Sequence, residues 1–203
     1  MEFKKIQLNG FKSFAEKTTF LIEEGLTGIV GPNGCGKSNI VESLRWVMGE
    51  TSAKSMRGSG MEDVIFSGTS NKSSKNIAEV SVNLSNELKD GPLQYKDLNQ
   101  IDIRRKIEKD KGSKFYINEK EVRARDAQMF FADLSTGAHS PSMISQGRIG
   151  ALVTAKPADR RAILEEAAGI AGLHVRRHEA ELRLSAAENN LKRADELRRQ
   201  QEK

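Results

Sequence analysis

Eight consecutive residues, Gly31-Pro32-Asn33-Gly34-Cys35-Gly36-Lys37-Ser38, have the types and spacing needed to hold a polyphosphate. They fit the phosphate-loop pattern of Gly, four residues, then Gly-Lys-Ser. Glycines let a backbone curl through positive φ and come close to a ligand. The amides of such a curl point inward and form an anion nest. A helix starting near Lys37 adds the positive end of its dipole. Lys37 then reaches the β- and γ-phosphates, and Ser38 offers its hydroxyl to Mg2+. Pro32, Asn33, Gly34, Cys35, Gly36, Lys37, Ser38 and Asn39 form the candidate nucleotide-binding set. Cys35 puts a nucleophilic thiol inside that set, so its alkylation is expected to block nucleotide binding; otherwise it is simply a small residue that fits.

Such a loop works only between a strand and a helix, and the flanking residues predict both. Residues 26–30 are a strand candidate that ends abruptly at Gly31. From residue 37 to 48 the apolar positions Ile40, Val41, Leu44, Val47 and Met48 recur at spacings of three and four, the period of a helix. Upstream, residues 3–8 and 18–22 read as two strands around a turn near Gly10. Downstream, residues 50–62 read as loop and 64–66 as a short strand. Residues 77–84 alternate, with Val80, Val82 and Leu84 on one face, as in a strand wet on one side. Ile101, Ile103 and Ile107 predict another strand, and residues 115–117 with Val122 a further pairing around a turn at Asn118-Glu119-Lys120. Residues 124–134 read as helix and 135–150, rich in Gly and Ser, as loop. Strands and helices in this order predict the α/β class.

The last segment differs in kind. Pro157 stands where a helix would begin, with Asp159 in its first turn. Beyond Gly169 and Gly172 a seam runs through Leu173, Arg177, Ala180, Leu184, Ala187, Leu191, Ala194, Arg198 and Gln201, in alternating steps of four and three. That is coiled-coil spacing. So charged a helix finds no core within this chain and is expected to need a partner helix, a lone amphipathic helix being the alternative.

The bulk numbers narrow the class. Of 203 residues 37% are hydrophobic, 30% charged and 5% aromatic, which suits a core of modest size with a long exposed helix. A net charge of +5 suits a polyanionic partner, or simply a solvated basic surface. The single cysteine allows no intrachain disulfide, so a reducing compartment is the default. No apolar run approaches the roughly 18–20 residues of a membrane helix. The start, Met1-Glu2-Phe3-Lys4-Lys5, lacks an apolar signal core. These features predict a cytoplasmic protein with no membrane partner.

Several stretches besides the phosphate loop now combine: Gly10-Phe11-Lys12-Ser13-Phe14, Arg57 to Gly68 (reading RGSGMEDVIFSG), Ser145-Gln146-Gly147-Arg148-Ile149, Lys156 to Arg161, and Glu165 to Ile170. In this order they closely resemble the N-terminal head of the bacterial structural-maintenance-of-chromosomes (SMC) family, over essentially the whole chain. The resemblance implies a P-loop NTPase of the ABC-ATPase head type, here its N-terminal half with a mixed sheet and helices, followed by a long coiled-coil helix. It implies residues 1–170 as the N-terminal lobe of the head and 171–203 as the start of the outgoing coil. It implies ATP and Mg2+ as cofactors. Gln146 matches the Q-loop glutamine that helps hold Mg2+ and senses the γ-phosphate. Arg57 matches an arginine beside the nucleotide, and with Lys37 and Gln146 completes the set implied in catalysis. Arg123 and Arg125 match a basic pair that touches DNA on top of engaged heads, while a third basic position of that surface is Gly60 here. Further implied partners are a second head in a homodimer, the C-terminal half of the same polypeptide, and a kleisin-type subunit on the coil around residues 173–200. The implied place is the nucleoid, and the implied role is chromosome condensation and segregation.

Two things are not in the sequence: an apolar run ending in Asp-Glu, and a Leu-Ser-Gly-Gly signature. The family places both in the second half of the head. The full-length protein is therefore expected to hydrolyse ATP, and this chain by itself is not. A recombination or repair ATPase of the same superfamily is one alternative, although such proteins lack the Met61-Glu62-Asp63 and Glu165-Glu166-Ala167 stretches. A truncated, non-catalytic interaction module is another.

Overall fold

The computed structural model describes residues 1–134, 143–144, 150, 153–168 and 171–201. Six strands are found among them: β1 (Glu2–Asn9), β2 (Thr18–Leu21), β3 (Ile77–Ser85), β4 (Gln100–Glu108), β5 (Gly112–Ile117) and β6 (Lys120–Val122). They pair in the order β2-β1-β3-β4-β5-β6, and every pairing is antiparallel. The register explains why the strands choose one another. Ile6 lies opposite Val82, Val82 opposite Ile103, and Ile103 opposite Ile117, so one row of apolar side chains crosses four strands. A slip of one residue would turn the whole row to water. The β5–β6 turn has Asn118 at φ 47° and Glu119 at φ 65°, the positive pair that a tight two-residue hairpin requires.

Two helices cover the apolar face. Helix α1 (Ser38–Val47) follows the phosphate loop, and buries Trp46 and Val47 completely against β3 and β4. Helix α2 (Ala124–Asp133) adds Ala127, Phe130 and Phe131. The two helices meet where Gln128 Nε2 donates to the Gly49 carbonyl at 2.8 Å. Gly49 has φ 103°, and a Cβ there would stand 2.4 Å from Gln128 Cγ, so only glycine fits just past the end of α1. Two more helices follow, α3 (Pro157–Ala167) and α4 (Ala171–Gln201). α4 is one continuous helix of 31 residues, about 46 Å long at 1.5 Å per residue. Its Leu184 and Leu191, both on the expected seam, are exposed.

Two expectations are corrected. Residues 26–30 form no strand, because no neighbouring segment among the described residues offers them backbone partners; Leu26 is 100% and Val30 94% exposed. Residues 64–66 form no regular strand either. Met61–Val64 is a 3-10 turn, and Ile65 makes only an isolated bridge to Phe11. The expected loop 135–150, with Gln146, lies outside the described residues apart from 143, 144 and 150.

Candidate functional site

The phosphate loop leads straight into α1, whose start is prepared for an anion. Lys37 is its N-cap, no side chain caps it, and no acidic residue stands in its first turn. The free amides and dipole of the helix start therefore meet no negative charge from the first turn of α1. Gly34 and Gly36 take φ of 84° and 82°. At Gly36 a Cβ would come within 2.3 Å of Ser13 Oγ, so space and backbone angle both require glycine. Lys37 folds back over the loop and donates from Nζ to the carbonyls of Gly31 at 3.0 Å and Pro32 at 3.2 Å. Cys35 is exposed, and its Sγ is 2.9 Å from where a Cβ on residue 31 would stand. The loop thus has the amides, the cation and the tight packing that a polyphosphate needs.

Two segments far apart in sequence are folded against this helix. The turn after β1 is closed by reciprocal backbone bonds, Phe11 N to Phe14 O at 3.1 Å and Phe14 N to Phe11 O at 2.8 Å. Phe11 is fully buried, its ring 5.4 Å from that of Trp46, and this anchors the turn on α1. Lys12 (φ 46°) and Ser13 are thereby presented to the first two turns of the helix. Ser13 Oγ accepts from Asn39 Nδ2 at 2.9 Å. The second segment is a 3-10 turn, Lys54–Met56, with Met56 buried and Arg57 following in the left-handed conformation.

Both segments converge on Glu42. Its carboxylate, on a nearly buried side chain, takes the Lys12 ammonium on Oε2 and the Arg57 guanidinium on Oε1. Lys12 Nζ also donates to the Met56 carbonyl at 2.5 Å, and Arg57 reaches Asn39 Oδ1 at 3.5 Å. Ser38, Val41, Glu42, Arg45, Ser55 and Arg57 line one cleft of about 420 Å³. So Ser38 and Arg57, named from sequence, do share a cleft. Lys12, Ser13 and Glu42 were not named as site residues. The spacing of Glu42, four residues past Ser38 and on the same helical face, was the available signal.

The loop that carries Arg57 is braced on the far side. Asp63 accepts from Ser59 N at 2.6 Å, Ser59 Oγ at 2.8 Å and Gly60 N at 2.9 Å. These donors, the Gly60 amide foremost, hold the Asp63 carboxyl below its usual range. The opposite end of α1 is held by Arg105, which sits on the apolar face of β4 and is only 4% exposed. It donates to the carbonyls of Trp46 and Glu50, each at 2.7 Å, and to Ser113 Oγ at 2.8 Å. Burial pushes its pKa down to about 10, which leaves it a cation at neutral pH.

Arg123 and Arg125 lie elsewhere, exposed at the start of α2. Arg123 lines a second cleft together with Tyr95, Lys114, Lys120 and Phe130. Gln146 falls outside the described residues, so its relation to Ser38 is not described. Among the described residues no group of three or more His, Cys, Asp or Glu could hold a metal ion. Among the described residues a Mg2+ bound here would draw on the Ser38 hydroxyl, with phosphate oxygens and water, the set this small cation commonly takes beside nucleotides.

Residues 2–149 match the family described as RecF/RecN/SMC N terminal domain. The chromosome partition protein Smc of Rhodopseudomonas palustris is 55% identical over 197 residues, 97% of this chain and 17% of that protein. The chain thus spans about a sixth of that relative's length. A solved structure from work on ATP-driven dimerization and DNA-stimulated activation of SMC ATPases is 30% identical, with a TM-score of 0.73, covering 82% of this chain and 99% of that one. The Smc head domain of Pyrococcus furiosus, with an extended coiled coil and bound to the C-terminal domain of ScpA, is 32% identical, with a TM-score of 0.76, over 96% of this chain and 48% of that one.

Proposed function

The chain belongs to the RecF/RecN/SMC N-terminal domain family, and from that premise we propose that it is the N-terminal half of the ATP-binding head of a chromosome-partition ATPase. Residues 1–170 form the head lobe and 171–203 begin the outgoing coil. The observation that carries this reading is the uncapped start of α1 behind a glycine loop, with Lys37 folded over that loop.

In this reading the loop amides and Lys37 bind the phosphates of ATP. Ser38 and Gln146 hold Mg2+, which when bound screens the phosphate charge. Arg57 supplies a further cation at the phosphates. Hydrolysis belongs to the full-length protein, because this sequence has no Asp-Glu carboxylate after an apolar run. The C-terminal half of the polypeptide would pair along residues 26–30, whose apolar side chains stand in solvent here. Two heads engage over ATP in a homodimer, and ATP shifts the population because it binds the engaged state better. Arg123 and Arg125 contribute to DNA contact. A kleisin-type subunit takes the coil next to the head; the P. furiosus Smc head with an extended coiled coil is likewise bound to the C-terminal domain of ScpA. Such a protein works in the cytoplasm, on the nucleoid. The 55% identity to a chromosome partition protein favours this role over recombination or repair.

Calorimetric titration of the full-length protein with Mg2+-ATP tests the reading. Lys37→Ala is expected to weaken binding about 10- to 100-fold through loss of a charge-assisted contact. Equal affinity in both proteins would overturn the assignment of the loop.

A further inference from the structure

Among the described residues that line the cleft beside the phosphate loop, Glu42 is the carboxylate that takes two cations, one from the turn after β1 and one from the residue after Met56. Both cations sit on residues held at positive φ, Lys12 at 46° and Arg57 at 55°. Non-glycine residues reach that region at a cost of about 1–2 kcal/mol each. A fold that keeps two such residues aimed at one acid has a use for the convergence. The two cations are not equivalent. The Lys12 side chain is 14% exposed and also donates to the Met56 carbonyl, whereas that of Arg57 is 60% exposed. Lys12 is therefore fixed, and Arg57 can leave without stranding a charge: Glu42 would keep Lys12, so no buried carboxylate is left alone. Glu42 also lies one helical turn from Ser38 on the same face, which brings the bound Arg57 to the cleft where phosphates would enter.

We propose that Glu42 is a positioning residue that holds Arg57 in reserve for the terminal phosphate of a nucleoside triphosphate, with Lys12 as the counter-charge that stays when Arg57 moves. This rests on the nucleotide reading above. Glu42 competes with the triphosphate for Arg57, and Lys12 weakens Glu42's grip by neutralising it. A diphosphate, lacking the terminal phosphate, does not enter the competition.

The test is binding of fluorescent ATP and ADP analogues, with Mg2+, to the full-length protein. Glu42→Gln keeps the shape and removes the charge; it is expected to raise ATP affinity about 5-fold and leave ADP affinity within about twofold. Lys12→Met is expected to do the opposite for ATP, and adding Glu42→Gln to it should reverse the loss. In an Arg57→Ala background, where an exposed side chain is removed and folding is not at issue, Glu42→Gln should have no effect. Equal changes for ATP and ADP, or a gain that persists without Arg57, would overturn the proposal and leave the phosphate loop standing. Failure of the unaltered protein to bind either nucleotide would overturn both.

Discussion

The guanidinium of Arg105 stacks on the ring of Trp46 at 4.5 Å and also donates to that residue's carbonyl at 2.7 Å, so one buried cation grips both the side chain and the backbone at the end of α1. The Phe115 ring stacks on it as well, at 4.7 Å. Arg105→Met would remove the hydrogen bonds to the Trp46 and Glu50 carbonyls and to Ser113 Oγ, at about 1.5–3 kcal/mol for each bond from a charged donor, partly offset by removing a buried charge and by the Gly49 amide that still reaches the Trp46 carbonyl at 3.1 Å. The net expectation is a loss of about 2–4 kcal/mol, read by urea denaturation, with Arg105→Lys intermediate because it keeps the charge but not the planar stack.

Gly36→Ala places a methyl 2.3 Å from Ser13 Oγ at a φ of 82°. Stability should fall by about 1–3 kcal/mol, and Mg2+-ATP binding should fall with it. Ser13→Gly, added to make room, should recover part of the stability but not all, since the backbone angle remains unfavourable. Full recovery would mean that crowding alone was at fault.

Cys35 is exposed within the phosphate loop. Alkylation with N-ethylmaleimide is expected to abolish nucleotide binding, and saturating Mg2+-ATP to slow the alkylation. Complete alkylation with unchanged affinity would show that the thiol stands clear of the ligand.

Asp63 has a carboxyl held below its usual value by the Gly60 and Ser59 donors. A carboxylate whose folded value is depressed lends stability above its unfolded value, near 3.8, and loses it as pH falls through the lower folded value. The loop carrying Arg57 should therefore loosen only in strong acid, and Asp63→Asn should loosen it at neutral pH. Amide exchange at Ser59 and Gly60 reads both; unchanged protection in Asp63→Asn would dismiss the brace.

Arg123 and Arg125 stand exposed at the start of α2. Replacing both with Ala in the full-length protein should weaken DNA binding uniformly across sequences and flatten the dependence of log K on log salt by about 2. A salt slope equal to that of the unaltered protein would remove them from the interface.

Much of the sheet was legible because period-two burial leaves a plain trace. Val80, Val82 and Leu84, and likewise Ile101, Ile103 and Ile107, announce their strands. Residues 26–30 carry no such alternation, only a short apolar stretch before Gly31, and form no strand, because a strand is a relation between two segments and a sequence stretch reports on only one of them. The phosphate loop was legible for the opposite reason: its function is local. The helical period places Glu42 beside Ser38, but its ion pairs were hidden because its partners lie 30 residues before it and 15 after it, and no periodic pattern links such positions. Arg105 was hidden because a cation on the apolar face of β4 reads as a break in the pattern, when it is the bolt through it.

Among the described residues no segment pairs with residues 26–30, and their backbone runs directly into the loop proposed to take phosphate. A strand added along residues 26–30, as proposed for the C-terminal half, would fix the point from which that loop departs. Thermodynamic linkage is reciprocal, so whatever factor the added strand contributes to nucleotide affinity, the nucleotide returns to the affinity for the strand. Assembly of the sheet and occupancy of the loop are then two readings of one equilibrium.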